Sequence, residues 1–400
     1  LIEEPKIKKD KMKTNNKTYT AKIYSLAFGG EGIGKVNEKI AFVRDAVPGD
    51  EVEFRVTKET SSFMKGELTR VIAPSGDRVD PVCAYYGRCG GCQLQHISYA
   101  KELYYKNEQV SELIKRIAGV RDFELQDIEP SADCYHYRTS ITLNRKGDFY
   151  GYFTRDERDI LKIKNCPIAV PEICDELASV AGEVKNERVT IKCDHAGRVW
   201  VSGRSGDRFY SDRYRGKDIF FSPRGFSQCN RHIAETVSKT LEEWIGKVSQ
   251  DTAFFDAYCG VGFFSFLLEQ DFCARIGMDS ERVAIDCAKT TAKSLGTKNA
   301  KFFVGDVENE FIGLYKTNRK QDNIVLVDPP RKGVGKDFIE EIKSLENARN
   351  IYYISCDPAK LARDIKQITC DSEWRLGRVK PFDMFPRTKH IETLAEFVRK

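Results

Sequence analysis

Residues 251–270 read DTAFFDAYCGVGFFSFLLEQ, and this stretch decides the fold. An apolar run ends in Asp256. The turn Tyr258-Cys259-Gly260-Val261-Gly262 follows, and then the pattern becomes helical. Glycines at 260 and 262 allow a tight turn and close approach of the backbone to a ligand. The turn is not the dinucleotide fingerprint G-x-G-x-x-G, because Phe263 and Ser265 break that spacing.

The same grammar recurs downstream. FCARIGMD (272–279), AKFFVGD (300–306), NIVLVDPPRKG (323–333) and NIYYISCDP (350–358) are short apolar runs, each ending in small or acidic residues. Helical patterns lie between them at 281–294, 338–345 and 359–369. That alternation predicts βαβ units, a mostly parallel sheet and a Rossmann-like α/β domain over 219–400. Ligands of such sheets lie at the carboxyl ends of the strands. Asp279, at the end of the second run, is placed for ribose hydroxyls. Asp306, after the third, is placed for an adenine amino group. No P-loop lysine motif is present. The pattern fits an adenosyl ligand without a phosphate chain, S-adenosylmethionine. Asp328 precedes two prolines that stiffen its loop, and Arg331 and Lys332 follow where a phosphate would lie.

Two further features carry chemistry. Cys356 ends a β-branched run that Pro358 halts, and Glu392 ends DMFPRTKHIE (383–392). A thiol and a carboxylate at element ends offer a nucleophile and a proton acceptor.

Towards the N-terminus, residues 1–17 read as a basic flexible tail, with six lysines against three acids in the first eighteen positions. Residues 18–73 hold about five short runs rich in β-branched and aromatic residues, separated by Gly-rich and polar turns. They predict a small β-barrel of the kind that binds RNA or single strands. Residues 74–218 read as a central α+β domain, with an amphipathic helix at 99–118 that packs on the catalytic domain. Arg138, Arg145, Lys146, Arg155, Arg158, Lys162 and Lys164 make this domain basic, which suits a phosphate backbone as well as a solvated face.

Thirteen cysteines, an odd number, argue against a fully paired disulfide framework. Cys83, Cys89 and Cys92 crowd into ten residues, a thiolate spacing that suits zinc or an iron–sulfur cluster. His96, Cys134, Cys166 and Cys174 are the available fourth ligands.

The composition, 41 % hydrophobic and 31 % charged with a net charge of +5, is that of a globular, soluble, multidomain chain. No apolar run is long enough for a membrane helix and no secretory signal is evident. The expected compartment is the cytoplasm, and the expected state is a monomer with no membrane partner.

Taken in order, these motifs resemble the S-adenosylmethionine-dependent RNA 5-methyluridine methyltransferases. The resemblance is strongest to the iron–sulfur bacterial branch that acts on 23S ribosomal RNA. It covers nearly everything beyond residue 17 and rests on Phe226-x-Gln228-x-Asn230, the Tyr258–Gly262 turn, DPPRKG, SCDP, PRTKHIE and the cysteine pattern. It implies an N-terminal TRAM domain and a 4Fe–4S cluster on Cys83, Cys89, Cys92 and Cys166. It also implies a cofactor and substrate pocket that includes Gln228, Tyr258, Asp279, Asp306 and Asp328, together with the glycines of the turn. Cys356 would be the nucleophile that adds to C6 of a uracil, and Glu392 the base. Transfer RNA is the alternative substrate. A non-catalytic RNA-binding or ribosome assembly factor is the alternative of a different class. Asp357 and Asp279 stand where the family commonly has asparagine and glutamate.

Overall fold

A computed structural model describes residues 17–204, 206 and 208–400. The expected N-terminal tail lies, but for Lys17, outside the described residues. The chain divides into two compact units. The first runs to Gly87 and includes Cys92–Glu102; the second comprises Arg88–Gly91 and Leu103–Lys400.

The first unit is built on β1 (Thr18–Leu26), β2 (Glu31–Val36), β3 (Lys39–Arg44), β4 (Glu51–Glu59) and β5 (Phe63–Ala73), closed in the order β1-β2-β3-β5-β4. Alternate residues point inward, so Ala41, Val43, Val52 and Phe54 are fully buried. Gly66 lets β5 cross Phe54, for a Cβ there would lie 2.8 Å from the Arg55 carbonyl oxygen. The barrel expected over 18–73 is therefore present.

Helix α1 (Tyr99–Leu113), in the second unit from Leu103 onward, runs on into a single π-helical turn, Ile114–Ala118. Then follow β6 (Glu124–Leu125), β7 (Ser140–Lys146), β8 (Phe149–Phe153), β9 (Ile160–Lys162), α2 (Pro171–Glu176), α3 (Val180–Glu183), β10 (Arg188–Cys193), β11 (Val199–Val201), β12 (Tyr210–Tyr214) and β13 (Lys217–Phe221). Strands β11-β10-β7-β8-β9 form one antiparallel sheet, and β12-β13 a separate hairpin. The helical segment between β9 and β10 is two short helices, α2 and α3.

The catalytic part opens with α4 (Arg231–Ile245). It continues with β14 (Thr252–Ala257), α5 (Phe263–Leu267), β15 (Ala274–Asp279), α6 (Arg282–Leu295), β16 (Ala300–Val304), α7 (Val307–Asn318), β17 (Asp322–Val327), α8 (Lys336–Lys343), β18 (Ala348–Ser355) and α9 (Pro358–Thr369). It closes with β19 (Trp374–Phe382) and β20 (Glu392–Arg399). The sheet order is β16-β15-β14-β17-β18-β20-β19-β6. The first five strands are parallel, while β20 runs antiparallel to both β18 and β19. Phe254, Ile324, Tyr352 and Leu394 share one core with α4, α5 and α6. Phe255 packs against Tyr315 at 4.6 Å between ring centres, and Phe311 against Phe338 at 6.1 Å.

From Leu103 onward α1 belongs to the second unit and contacts the segment that follows β19. Lys106 in α1 and Asp383 beyond β19 form an ion pair of 2.6 Å, with side chains only 1 % and 0 % exposed. The Lys106 ammonium also donates to the Phe385 carbonyl at 3.2 Å. Such a pair is weak as a source of stability but costly to break from one side. Lys106→Met, which leaves Asp383 without this cation, is expected to cost about 3–5 kcal/mol. A lowered denaturant midpoint at unchanged slope is the reading that checks it.

Candidate active site

The parallel register places the candidate residues at one edge. Ala257 pairs with Val327 and with Met278, and Met278 pairs with Phe303. Tyr258, Asp279 and Asp328 therefore stand at or just past the ends of adjacent strands, with Asp306 beyond the end of β16. The next strand brings Cys356. Ser355 pairs with Thr393 in the antiparallel β18–β20 ladder, and one step further sets Cys356 opposite Glu392. Two residues 36 positions apart are thus brought together by register alone.

The Gly-turn is built tightly. Tyr258 has φ +62°, unusual for a side-chain-bearing residue, and its hydroxyl donates to Glu308 at 3.5 Å. Gly262, φ +75°, begins α5, and a Cβ there would sit 2.7 Å from Phe266 and 2.9 Å from Phe302. The Asp279 carboxylate accepts from the Gly260 amide at 2.9 Å and the Glu281 amide at 2.8 Å, so it shapes the turn while keeping further acceptor capacity. Asp306 is the N-cap of α7, accepting from the Glu308 amide at 3.0 Å, and is solvent-exposed. Gln228 precedes Asn230, the N-cap of α4, whose side-chain amide donates to Ser131 at 2.9 Å. The Gln228 and Cys229 carbonyls face Thr139, so the central domain holds this segment.

Asp256, at the end of the apolar run that precedes the turn, is a site residue that its sequence position does not reveal. It is 1 % exposed. One oxygen accepts from Ser265 at 2.6 Å, and the other has no hydrogen-bond partner. Burial pushes its carboxyl up to about 7. Asp328, half-buried, is pushed well above the carboxylate range by burial and by Glu392, Asp256 and Asp279. A cluster of acids around a glycine cradle, one with an orphaned oxygen, fits a cationic ligand with an ammonium group. S-adenosylmethionine has that chemistry.

At the other end of the site, burial pushes Cys356 up to about 12 and Glu392 up to about 7. The Arg331 guanidinium opposes both shifts. His390, against Phe385 with ring centres 5.7 Å apart, is pushed down to about 4 by burial and by Arg331, and is neutral at pH 7. It belongs to the loop between β19 and β20, which the Thr388 hydroxyl ties to the Phe385 carbonyl at 2.9 Å. Tyr137 from the central domain donates to the Pro386 carbonyl at 3.0 Å.

The expected cluster ligands Cys83, Cys89, Cys92 and Cys166 are all free thiols. Cys83 and Cys92 belong to the first unit, Cys89 and Cys166 to the second. No three His, Cys, Asp or Glu side chains come together as a metal-holding group among the described residues. Cys166 is buried, which pushes its thiol up to about 11. No chemical step is routed through a cluster. Two histidines outside this site have side-chain partners: His96 lies 2.5 Å from the Tyr86 hydroxyl, and His195 3.3 Å from Asp212.

A Rossmann-like sheet with this cradle, joined to an N-terminal β-barrel, defines an S-adenosylmethionine-dependent methyltransferase. The family model of the tRNA (uracil-5-)-methyltransferases matches residues 213–399, and that of the TRAM domain matches 12–69. An RNA methyltransferase of Clostridium tetani is 30 % identical, with 97 % of this chain and 98 % of that protein aligned. A 23S rRNA (uracil(1939)-C(5))-methyltransferase of Vibrio parahaemolyticus is 26 % identical over 97 % of this chain and 98 % of its own length. The Pyrococcus abyssi tRNA (uracil-54, C5)-methyltransferase, solved with S-adenosyl-L-homocysteine, shares the fold at a TM-score of 0.70. It is 21 % identical over 95 % of this chain and all of that one. The chain belongs to the TRAM-domain-containing RNA 5-methyluridine methyltransferases, and it is an enzyme of that class. No helix among the described residues is long and apolar enough to cross a membrane.

Proposed function

We propose that the chain methylates C5 of a uridine in a structured RNA through a covalent bond between Cys356 and C6. The observation that carries this is the β18–β20 register, which sets the thiol opposite the Glu392 carboxylate beside Asp328. Uracil C5 is a poor nucleophile. When the Cys356 thiolate adds to C6, the C5=C6 electrons move onto C5 and O4 as an enolate. S-adenosylmethionine supplies an electrophilic methyl group on sulfur and leaves as the neutral thioether. Glu392 then takes the C5 proton, the C6–S bond breaks, the double bond re-forms and the thiolate returns to Cys356. Asp256 and Asp328 hold the donor's cationic end, and Asp279 its ribose. Gln228 lines the same pocket, and Asp306 marks its adenine end. The target C5 is inaccessible in a stacked helix, so the nucleotide is flipped out to meet Cys356.

Both working forms are deprotonated, so the single-turnover rate of releasing free 5-methyluridine RNA from the adduct is expected to rise with pH. A bend near pH 7 should mark the loss of the Glu392 proton, which the free enzyme holds up to about that pH. Glu392→Gln should remove the bend; a bend that persists in that variant assigns it elsewhere.

For the RNA, the transfer-RNA reading leads, because the family model covering the catalytic part is that of the tRNA enzymes. The 23S reading, the first expectation from sequence, rests on relatives at 26 % identity that carry that name. The TRAM barrel supplies a second RNA contact, with Tyr24 62 % exposed and Lys22 and Lys35 on the same groove. Protein purified without oxygen, given methyl-labelled donor and both unmodified transcripts, decides between them. 5-Methyluridine in transfer RNA alone supports the leading reading, and in 23S RNA alone it reverses the order. A 4Fe–4S cluster has the cysteine spacing as its support. About four irons and four sulfides per chain, lost together from a Cys89→Ser variant, would establish it.

A further inference from the structure

Asp364 in α9 is 0 % exposed, yet it is a hub. One oxygen accepts from the Tyr353 hydroxyl at 2.7 Å and from the Val334 amide at 3.4 Å. The other accepts from Arg363 Nε at 2.7 Å, with Nη2 at 2.6 Å. That guanidinium also donates to the Lys332 and Val334 carbonyls, each at 3.3 Å. Gly333, φ +75°, makes the approach possible, since a Cβ there would lie 2.7 Å from the Asp364 carboxylate. Tyr353 lies on β18 three residues before Cys356, and α9 begins two residues after it. Residues 332–334 end the loop that carries Asp328 and Arg331.

One carboxylate and one guanidinium thus join three pieces: the strand that delivers the thiol, the helix that follows it, and the loop bearing the donor-side acid and the local cation. We propose that Asp364 and Arg363 are positioning residues for methyl transfer, fixing the Asp328–Val334 loop against the Cys356 junction. This rests on the covalent reading above. Neither residue touches the reacting atoms. Their effect is on the alignment of Asp328 and Arg331 with Cys356, and misplacement on the ångström scale costs a reaction far more than it costs a fold.

The test uses full-length protein and RNA bearing 5-fluorouridine at the mapped target, with adduct formation followed on denaturing gels and donor binding by calorimetry. Arg363→Gln, at a side chain 38 % exposed, is expected to lower the melting midpoint but to stay folded at the assay temperature with unchanged RNA affinity. It should slow adduct formation and transfer by roughly 10–100-fold. Arg363→Lys, which keeps the charge but not the fork, should recover part of that loss. Asp364→Asn should match or exceed the Arg363→Gln defect, and if it fails to fold the Arg363 pair carries the test. Wild-type rates in Arg363→Gln, or a loss that merely tracks its melting curve, overturn the proposal. Absence of adduct in the wild-type control, with donor bound, overturns the covalent reading itself.

Discussion

Cys356→Ala is expected to lower methyl transfer by roughly 10⁴-fold or more, the scale seen when a nucleophile is removed. Without the thiolate, C5 must attack the methyl group unaided, and no neighbour can substitute. Cys229 and Cys259 are buried, and the described neighbours with charge are acids and Arg331. The variant should fold, because Cys356 stands at the partly open rim of β18 and its helix is capped independently. Asp357 accepts from the Ala359 and Lys360 amides at 3.0 and 3.1 Å. It should also bind S-adenosylmethionine as the wild type does, since the cradle lies on β14, β15 and β17. The decisive reading pairs nucleoside mass spectrometry with the 5-fluorouridine complex: both should vanish. A variant that retains a tenth of wild-type turnover would exclude the covalent route.

Glu392→Gln should fail at a different point. The thiol can still add and the methyl can still transfer, but the C5 proton has nowhere to go. Turnover is expected to fall by about 10²–10⁴-fold. A methylated protein–RNA adduct should accumulate on ordinary uridine substrate, visible as a band that resists denaturation and carries the methyl label. Loss of turnover with no trapped species would mean that Glu392 acts before the methyl transfer, as the base for the Cys356 thiol. The same substitution carries a stability signature of known sign. Burial raises the Glu392 carboxyl from 4.5 to about 7 in the folded chain. The folded state therefore holds a proton that the unfolded state has released across that interval, and wild-type stability declines as pH rises through it. The melting temperature of Glu392→Gln should exceed that of the wild type by a margin that opens above about pH 4.5 and levels off above about 7. An enzyme that is more stable and less active separates a functional charge from a structural one.

How much of this was legible in advance follows the range of the interactions. The β-barrel and the parallel strands announce themselves locally, through β-branched runs ending in Asp256, Asp279 and Asp328. The closing pair β19 and β20 was not read, because Gly377, Pro381 and the loop-like DMFPRTKHIE hide two strands that exist by pairing with β18 and with each other. Helix α7 was likewise missed, and with it the role of Asp306 as its cap. Lys106 and Asp383 lie 277 residues apart, and nothing in either neighbourhood names the other. Asp256 is visible in the sequence as the end of an apolar run, but its orphaned oxygen is a fact of burial that no spacing reveals. The cysteine pattern shows the opposite case. It is sharp in sequence, yet the four thiols fall in two separate units, Cys83 and Cys92 in the first and Cys89 and Cys166 in the second.

The antiparallel β18–β20 ladder makes the distance from thiol to carboxylate a matter of counting. Each residue along a strand advances it by about 3.3 Å, and each single step turns the side chain to the opposite face. One residue inserted within β20 would aim the carboxylate away from the pocket, and two would restore the face but leave it about 7 Å out of reach. The neighbouring 383–391 loop can change its length without moving the count. The enzyme thus keeps its reactive pair in step by a vernier of hydrogen bonds. Length changes in related chains should collect in the loop and spare the strand, and a designer could detune the reaction by known increments without altering a single side chain in the pocket.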